Sequence, residues 1–338
     1  MKKLFLIGLT VVVLVGMGIL VAAAQEKTML SIGTHPVGTT FNVIGSAIAK
    51  LVSDHTKYKM TVKAMAGPSA WFPYMERGEV DFGVLNVWDA EMGYKGEYEY
   101  KELSKGKGFD IRLVAFTVPN KISAVTSKDS GITTLSQLKG KRLACRYPTP
   151  SLHLQALAML ANGGLTIDDV IVIPVTSITE GVNAVITGRA DATGTVTLGT
   201  PILQELEARR GARFLPIDPS PEAVKRARQF FPGYPVLVKA GPIGVETDRY
   251  LWCYDVYVIC SAALPDKVVY EVVRVMYENI AELQRFHKQL EEWTQKGLVR
   301  ADFSIPFHPG AVAFYKGVGL WTAEMDALNQ KLLSSRSR

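Results

Sequence analysis

A chain of 338 residues with 48% hydrophobic residues has enough apolar side chain to bury a sizeable core, and its length suits two domains. The formal net charge of +6 is mild and spread along the chain, with no block of five like charges, which excludes a nucleic-acid footprint. Three cysteines are too few for a disulfide framework.

Lys2 and Lys3 precede an apolar run from Leu4 to Val21, and Ala22, Ala23 and Ala24 follow it. A basic start, an apolar stretch and small residues at its end read as a secretory signal cleaved after Ala24, with an uncleaved anchor as the alternative. Cleavage removes two lysines and no acid, so the net charge falls from +6 to +4. No later stretch reaches the roughly 18 apolar residues of a membrane span, and a soluble periplasmic chain is expected.

Short apolar runs then alternate with amphipathic stretches. Leu30–Gly33 predicts a strand, and Thr39–Asp54 a helix through the spacing of Val43, Ile44, Ala47, Ile48 and Leu51. Met60–Ala64 is a strand, Ser69 caps a helix ending at Arg77-Gly78, and Phe82–Leu85 is a strand. Arg112–Thr117 and Ile122–Thr126 are strands meeting at Val118-Pro119-Asn120. A second series follows, with a helical turn at Leu135–Leu138, a strand at Lys141–Cys145 and a helix at Ser151–Ala161. Val170–Val175, Ile178–Thr187 and Ala192–Val196 continue it as strand, helix and strand. The stretch from Pro216 to Pro242 reads as loop-rich, with one helix near Glu222–Phe230. Val256–Cys260 is a strand, and the C-terminal part is helical, including Asp266–Phe286 and a segment from Pro309. Cys253 and Cys260 read as one strand, which would hold them about 23 Å apart and on opposite faces, so all three thiols are expected buried and free. Strands alternating with helices make this an α/β chain with a mixed, mostly parallel sheet in each domain.

An internal echo supports two related halves. Arg77-Gly78-Glu79-Val80-Asp81-Phe82-Gly83 is matched by Thr187-Gly188-Arg189-Ala190-Asp191-Ala192-Thr193-Gly194. In both, a helix ends at glycine, an acid follows and a strand begins.

Ligands of parallel α/β sheets bind at the carboxyl ends of the strands. Five strand-to-helix loops there are rich in hydroxyls, small residues and aromatics. The first holds Thr34, His35, Gly38, Thr39, Thr40 and Phe41, whose glycine and helix start let a ligand approach backbone N–H groups. The others hold Ser69 and Trp71; Asn86 and Trp88; Arg146, Tyr147, Thr149 and Ser151; and Thr195 and Thr197. Arg146 is the best-placed cation for an anionic ligand. The five histidines, His35, His55, His153, His287 and His308, show no metal spacing, and there is no G-x-S-x-G elbow, Walker loop or dinucleotide fingerprint. No catalytic residue, metal or cofactor is expected.

The chain resembles the TAXI family of TRAP-transporter solute receptors over its mature length. The resemblance rests on Ser31-Ile32-Gly33-Thr34 with Gly38-Thr39-Thr40-Phe41, on Gly78-Glu79-Val80-Asp81-Phe82, on Gly188-Arg189-Ala190-Asp191 and on Leu264-Pro265-Asp266. Its most specific stretch is Ile305-Pro306-Phe307-His308-Pro309-Gly310-Ala311. The resemblance implies a two-lobed, type II periplasmic binding fold with hinge crossings. It also implies capture of a small organic anion, glutamate- or 2-oxoglutarate-like, and delivery by a monomer to TRAP permease subunits driven by an ion gradient. Departures at His35-Pro36-Val37, at Arg146–Ser151 and at Trp71 and Trp88 favour a bulkier or more aromatic carboxylate. The expected lobes are residues 28–118 with 243–338, and residues 119–242, crossing at Val118-Pro119-Asn120 and near Lys239–Gly244. The alternatives are a receptor of an ATP-driven importer on the same fold, a periplasmic enzyme on that fold, and a signalling receptor.

Overall fold

The computed structural model describes residues 27–335, so the expected secretory signal lies outside the described residues. The chain begins with β1 (Met29–Thr34), α1 (Thr40–His55), β2 (Lys59–Ala64), α2 (Pro68–Glu76), β3 (Phe82–Asn86), α3 (Val87–Lys95), α4 (Glu99–Leu103) and β4 (Ile111–Phe116). It continues through β5 (Asn120–Ser127), β6 (Arg142–Arg146), α5 (Pro150–Asn162), β7 (Ile171–Pro174), α6 (Ile178–Ile186) and β8 (Ala192–Thr197). Then come α7 (Ile202–Arg210), β9 (Ala212–Phe214), α8 (Pro221–Arg228), β10 (Tyr234–Val238), β11 (Arg249–Tyr254) and β12 (Val256–Ser261). Helices α9 (Asp266–Glu278), α10 (Ile280–Phe286), α11 (Pro309–Gly317) and α12 (Ala323–Ser335) finish it, with a 3-10 turn at Lys288–Leu290.

Two sheets result, one per lobe. The first runs β2-β1-β3-β12-β4 and the second β10-β11-β5-β8-β6-β7, with β9 on the edge of β5. β1 lies parallel to β2 and β3, and β6 parallel to β7 and β8. The carboxyl ends of these strands therefore feed helices in the way that places ligands at loop clusters. Helix α1 covers the first sheet with a stripe of Phe41, Ile44, Ala47, Ile48, Leu51 and Val52, a helical repeat of apolar residues against a sheet face.

The crossings differ from the expected ones at one point. The first falls between β4 and β5, around Val118-Pro119. The second is at Asp255, because β11 pairs antiparallel with β5 (Trp252 opposite Ile122) and with β10, while β12 pairs with β3 and β4. Residues 243–254 thus belong to the second lobe, and Lys239–Gly244 is a loop of that lobe. Cys253 and Cys260 accordingly sit in different sheets, and all three cysteines are buried and unpaired. β10 formed where loop was expected. Its Pro235 cannot donate to a ladder, which fits only an edge strand, and β10 is the edge. The helix expected over Asp266–Phe286 breaks at Asn279, whose side-chain amide donates to Val275 O at 2.9 Å and competes with the backbone ladder.

The internal echo is a shared structural joint. Asp81 accepts the Ser31 amide at 2.9 Å and returns its own N–H to Ser31 O. Asp191 does the same to Arg142, accepting its amide at 2.8 Å and donating to its carbonyl, with the guanidinium added. In the first lobe the acid fastens the start of β3 to the start of β1, and in the second the start of β8 to the start of β6. The Ile305–Ala311 stretch is a joint as well. Phe307 bridges to Leu113 of β4, and His308 accepts from the Gly310 amide at the start of α11 while its Nε2 lies 3.0 Å from Leu264 O. A side chain on Gly310 would sit 2.2 Å from Asp266 O, so only glycine lets α11 approach α9 there.

Candidate functional site

The two lobes meet along a seam built from the five predicted loops. From the second lobe, Ser151 Oγ donates to Asp89 Oδ2 at 2.8 Å, and Asn86 Nδ2 lies 3.4 Å from the same hydroxyl. Gly67 is wedged between lobes: a Cβ on it would lie 3.3 Å from His35 Cε1 and 3.5 Å from Thr149 Oγ1. Gln289, in the 3-10 turn, donates with one amide group to Thr40 Oγ1 at 3.1 Å and to Leu198 O at 3.0 Å, clasping both lobes. Beside these contacts lies a cavity of about 450 Å³, lined among others by Thr40, Asn120, Thr197, Thr200, Gln204 and Gln289.

Two helix starts face the seam without a side-chain cap. α2 follows Gly67 and α5 follows Thr149, and each opens with proline. The first N–H groups of a helix have no intrahelical partner, so the amides of Ser69 and Ser151 are free to bind an acceptor. His35 lies against the start of α2 at Gly67, 3% exposed, stacked on Phe41 with ring centres 4.4 Å apart. Its Nε2 has no hydrogen-bond partner among the described residues. Burial pushes the imidazole down to about 4, so it is neutral at physiological pH. α1 differs, since Thr39 caps it by accepting the Asn42 amide at 3.3 Å.

The remaining predicted residues separate into three groups. Thr195 and Thr197 lie at the end of β8, where Thr195 donates to Gln155 at 3.0 Å and Thr197 reaches the cavity. Thr34 and Tyr147 are spent inside their own lobes: Thr34 donates to His35 O and accepts from Asn42, and the Tyr147 hydroxyl meets Thr193 and Ala144 O. Gly38 supplies the left-handed turn (φ 87°) before α1.

Three expectations need correction. Trp71, expected in a ligand loop, is closed off from any ligand: its ring is fully buried across Gly33 and Gly83, where added Cβ atoms would come within 2.9 and 2.4 Å of it. The two glycines are paired neighbours in β1 and β3, so the missing side chains make the slot that holds the indole. Trp88 is only 7% exposed and packs on Tyr98, with ring centres 5.2 Å apart. Arg146, the cation expected for an anionic ligand, is exposed, and among the described residues no lysine or arginine is buried. The loop that follows β6 reaches the seam through Thr149 and Ser151 instead. Sequence reasoning missed Asp89, Tyr100, Gln155 and Gln289. The only signal pointing toward one of them was Asn86 three residues before Asp89, a helix-start spacing.

A two-sheet α/β molecule whose strand-to-helix loops meet between lobes has the fold of the periplasmic binding proteins. Residues 32–319 match the NMT1-like family, and the chain belongs to it. Among solved structures, it is similar to PhnD1 from Prochlorococcus marinus in complex with methylphosphonate (10% identity, TM-score 0.54, 88% of this chain and 100% of that one). It is similar also to the ligand-binding component of an ABC-type import system from Staphylococcus aureus, solved with zinc bound (14% identity, TM-score 0.51, 90% and 99%). At these identities the likeness shows the fold.

Proposed function

We propose that this chain is an extracytoplasmic solute receptor that captures a small organic acid in the seam, performs no chemistry on it and hands it to a membrane importer. The observation that carries the reading is the pair of uncapped helix starts, α2 and α5, which meet from different lobes at Gly67 and Thr149, with the unpartnered, neutral His35 against the first of them. Such starts bind anions through backbone N–H groups and the helix dipole, with no arginine needed. A carboxylate there would touch both lobes at once and so favour the closed form by the difference in its contacts with the two forms. The neighbouring cavity has the size of a small-molecule site. Binding without catalysis is supported by the thiols: burial holds Cys145 and Cys253 up at about 11 and Cys260 well above its ordinary value, so none is a nucleophile at neutral pH.

Two importer classes have support. The Staphylococcus aureus structure with this fold belongs to an ABC-type import system, which favours an ATP-driven permease. The Ile305–Ala311 stretch carries the likeness to the TAXI receptors, which favours an ion-gradient-driven one. Uptake by cells producing receptor and permease distinguishes them, because a protonophore or sodium removal stops the second class and leaves the first running. Mass spectrometry of the solute carried through purification tests the receptor reading itself. A small acid is expected, displaced by dialysis and restoring a saturable binding isotherm; a bound species converted to product on incubation would replace the receptor with an enzyme.

A further inference from the structure

The facing helix starts leave one buried charge unexplained. Asp89, in the first turn of α3, is completely enclosed. Its Oδ2 accepts Asn86 Nδ2 at 2.6 Å and Ser151 Oγ at 2.8 Å, and its Oδ1 accepts the Tyr100 hydroxyl at 2.8 Å. All three donors are neutral. An ionised carboxylate has about four acceptor positions, so three donors leave one open. Next to it stands Glu99, whose two carboxylate oxygens are enclosed and have no hydrogen-bond partner among the described residues. Burial pushes Asp89 up to about 6 and Glu99 up to about 7, with Asp89 adding to the rise in Glu99. A carboxylate taken out of water without a cation is costly, and no protein cation is buried here to offset it.

Position ties this acid to the anion subsite. Ser151 is the second residue of α5: its amide belongs to the free helix start and its hydroxyl rests on Asp89. The two subsites are therefore one residue apart. Asp89 comes from the first lobe and Ser151 from the second, so opening the lobes strips Oδ2 of one donor and exposes an acceptor to the entering solute.

We infer that Asp89 is the specificity-determining residue of the seam, selecting acids that carry an ammonium group close to the carboxylate over the same acids without one. The inference rests on the receptor reading above. A second ligand carboxylate placed at this point would face Asp89 and Glu99 and be repelled, while an ammonium would gain a charge-assisted bond to a desolvated partner.

The test uses the purified chain from residue 25, stripped of carried solute by reversible unfolding, and isothermal titration with matched pairs. The probes are amino acids of two to six carbons, each beside the unsubstituted and the hydroxy acid of the same skeleton. The amino member of the best pair is expected to bind at least tenfold more tightly than the unsubstituted one. Asp89→Asn, which keeps an acceptor for Ser151, is expected to bring that ratio to within about threefold; Glu99→Gln should lower it less. The ratio in the unaltered chain stands as a measurement even if Asp89→Asn fails to fold. Equal binding of both members overturns the selectivity and leaves the receptor reading intact. An unchanged ratio in folded Asp89→Asn removes Asp89 from the role. Binding of none of the acids overturns both readings together.

Discussion

Two buried titratable side chains in the seam pull stability in opposite directions with pH. Asp89 is raised from 3.8 to about 6, so the folded chain holds a proton that the unfolded chain has lost. By linkage, its contribution to stability falls as pH rises from about 4 to 6. His35 is lowered from 6.5 to about 4, so the unfolded chain binds the proton first, and stability falls as pH drops from 6.5 to 4. Each shift corresponds to about 3 kcal/mol, at 1.36 kcal/mol for each unit. Over this window the two slopes offset each other, and the parent chain should show a flat profile from them. Urea unfolding between pH 4 and 7 separates the pair. Asp89→Asn should lose stability on acidification, His35→Gln should gain it, and parallel profiles in all three proteins would mean that neither group titrates where its burial places it. The same two residues show what sequence could reveal at this scale. His35 stood in a glycine-bearing loop and was legible as a site residue. Asp89 was not, because a carboxylate in a helix's first turn is ordinary, and only the fold brings Ser151 from 62 positions away to meet it.

The elements that join the lobes are a short turn and two chain passages, residues 117–119 and the single residue Asp255. Lys288–Leu290 clasps both lobes through Gln289, and Glu292 beyond it pairs with Lys121 at 2.6 Å, just past the first crossing. That ion pair is largely solvated and contributes little, whereas the two amide bonds of Gln289 are partly buried and each contributes about 0.5–1.5 kcal/mol. Gln289→Ala should therefore shift the ligand-free chain toward the open form and weaken solute binding by about tenfold. Small-angle scattering should show a larger radius of gyration for the variant without solute and matching radii at saturation. Equal radii in both states would remove the clasp. At the second crossing, Arg300 grips Asp255 with two bonds of 3.0 and 2.6 Å while its guanidinium lies 4.4 Å from the centre of the Phe116 ring, so this passage is anchored to the first lobe. Its location was hidden in the sequence, since β11 and β12 run together as ten residues, Leu251–Cys260, interrupted only by Asp255. Apolar content marks a buried strand without saying which sheet takes it. Proline near residue 242 was the more visible signal and marked a loop of the second lobe.

At the scale of the molecule, alternating strands and helices were enough to read two α/β lobes, because each strand-to-helix step has its own local pattern. The pairing of distant strands was beyond reach of any local pattern. β4 shows the effect most plainly. One edge is taken by β12, and the other by the segment around Phe307, where the Leu113 amide donates to Pro306 O and its carbonyl accepts from the His308 amide. Both neighbours come from chain that follows the whole second lobe. Residues 120–254, by contrast, complete their sheet without help from outside. Loop closure across so long an insertion makes such pairings late steps in folding. In refolding followed by pulsed hydrogen exchange, amides of β6 and β8 should become protected first, and those of β4 and β12 together afterwards. Protection of β4 ahead of β12 would contradict this order. A chain emerging from its N-terminus therefore cannot finish its first lobe until the second has passed, and for that interval β3 and β4 each offer an unpaired edge to any strand that reaches them.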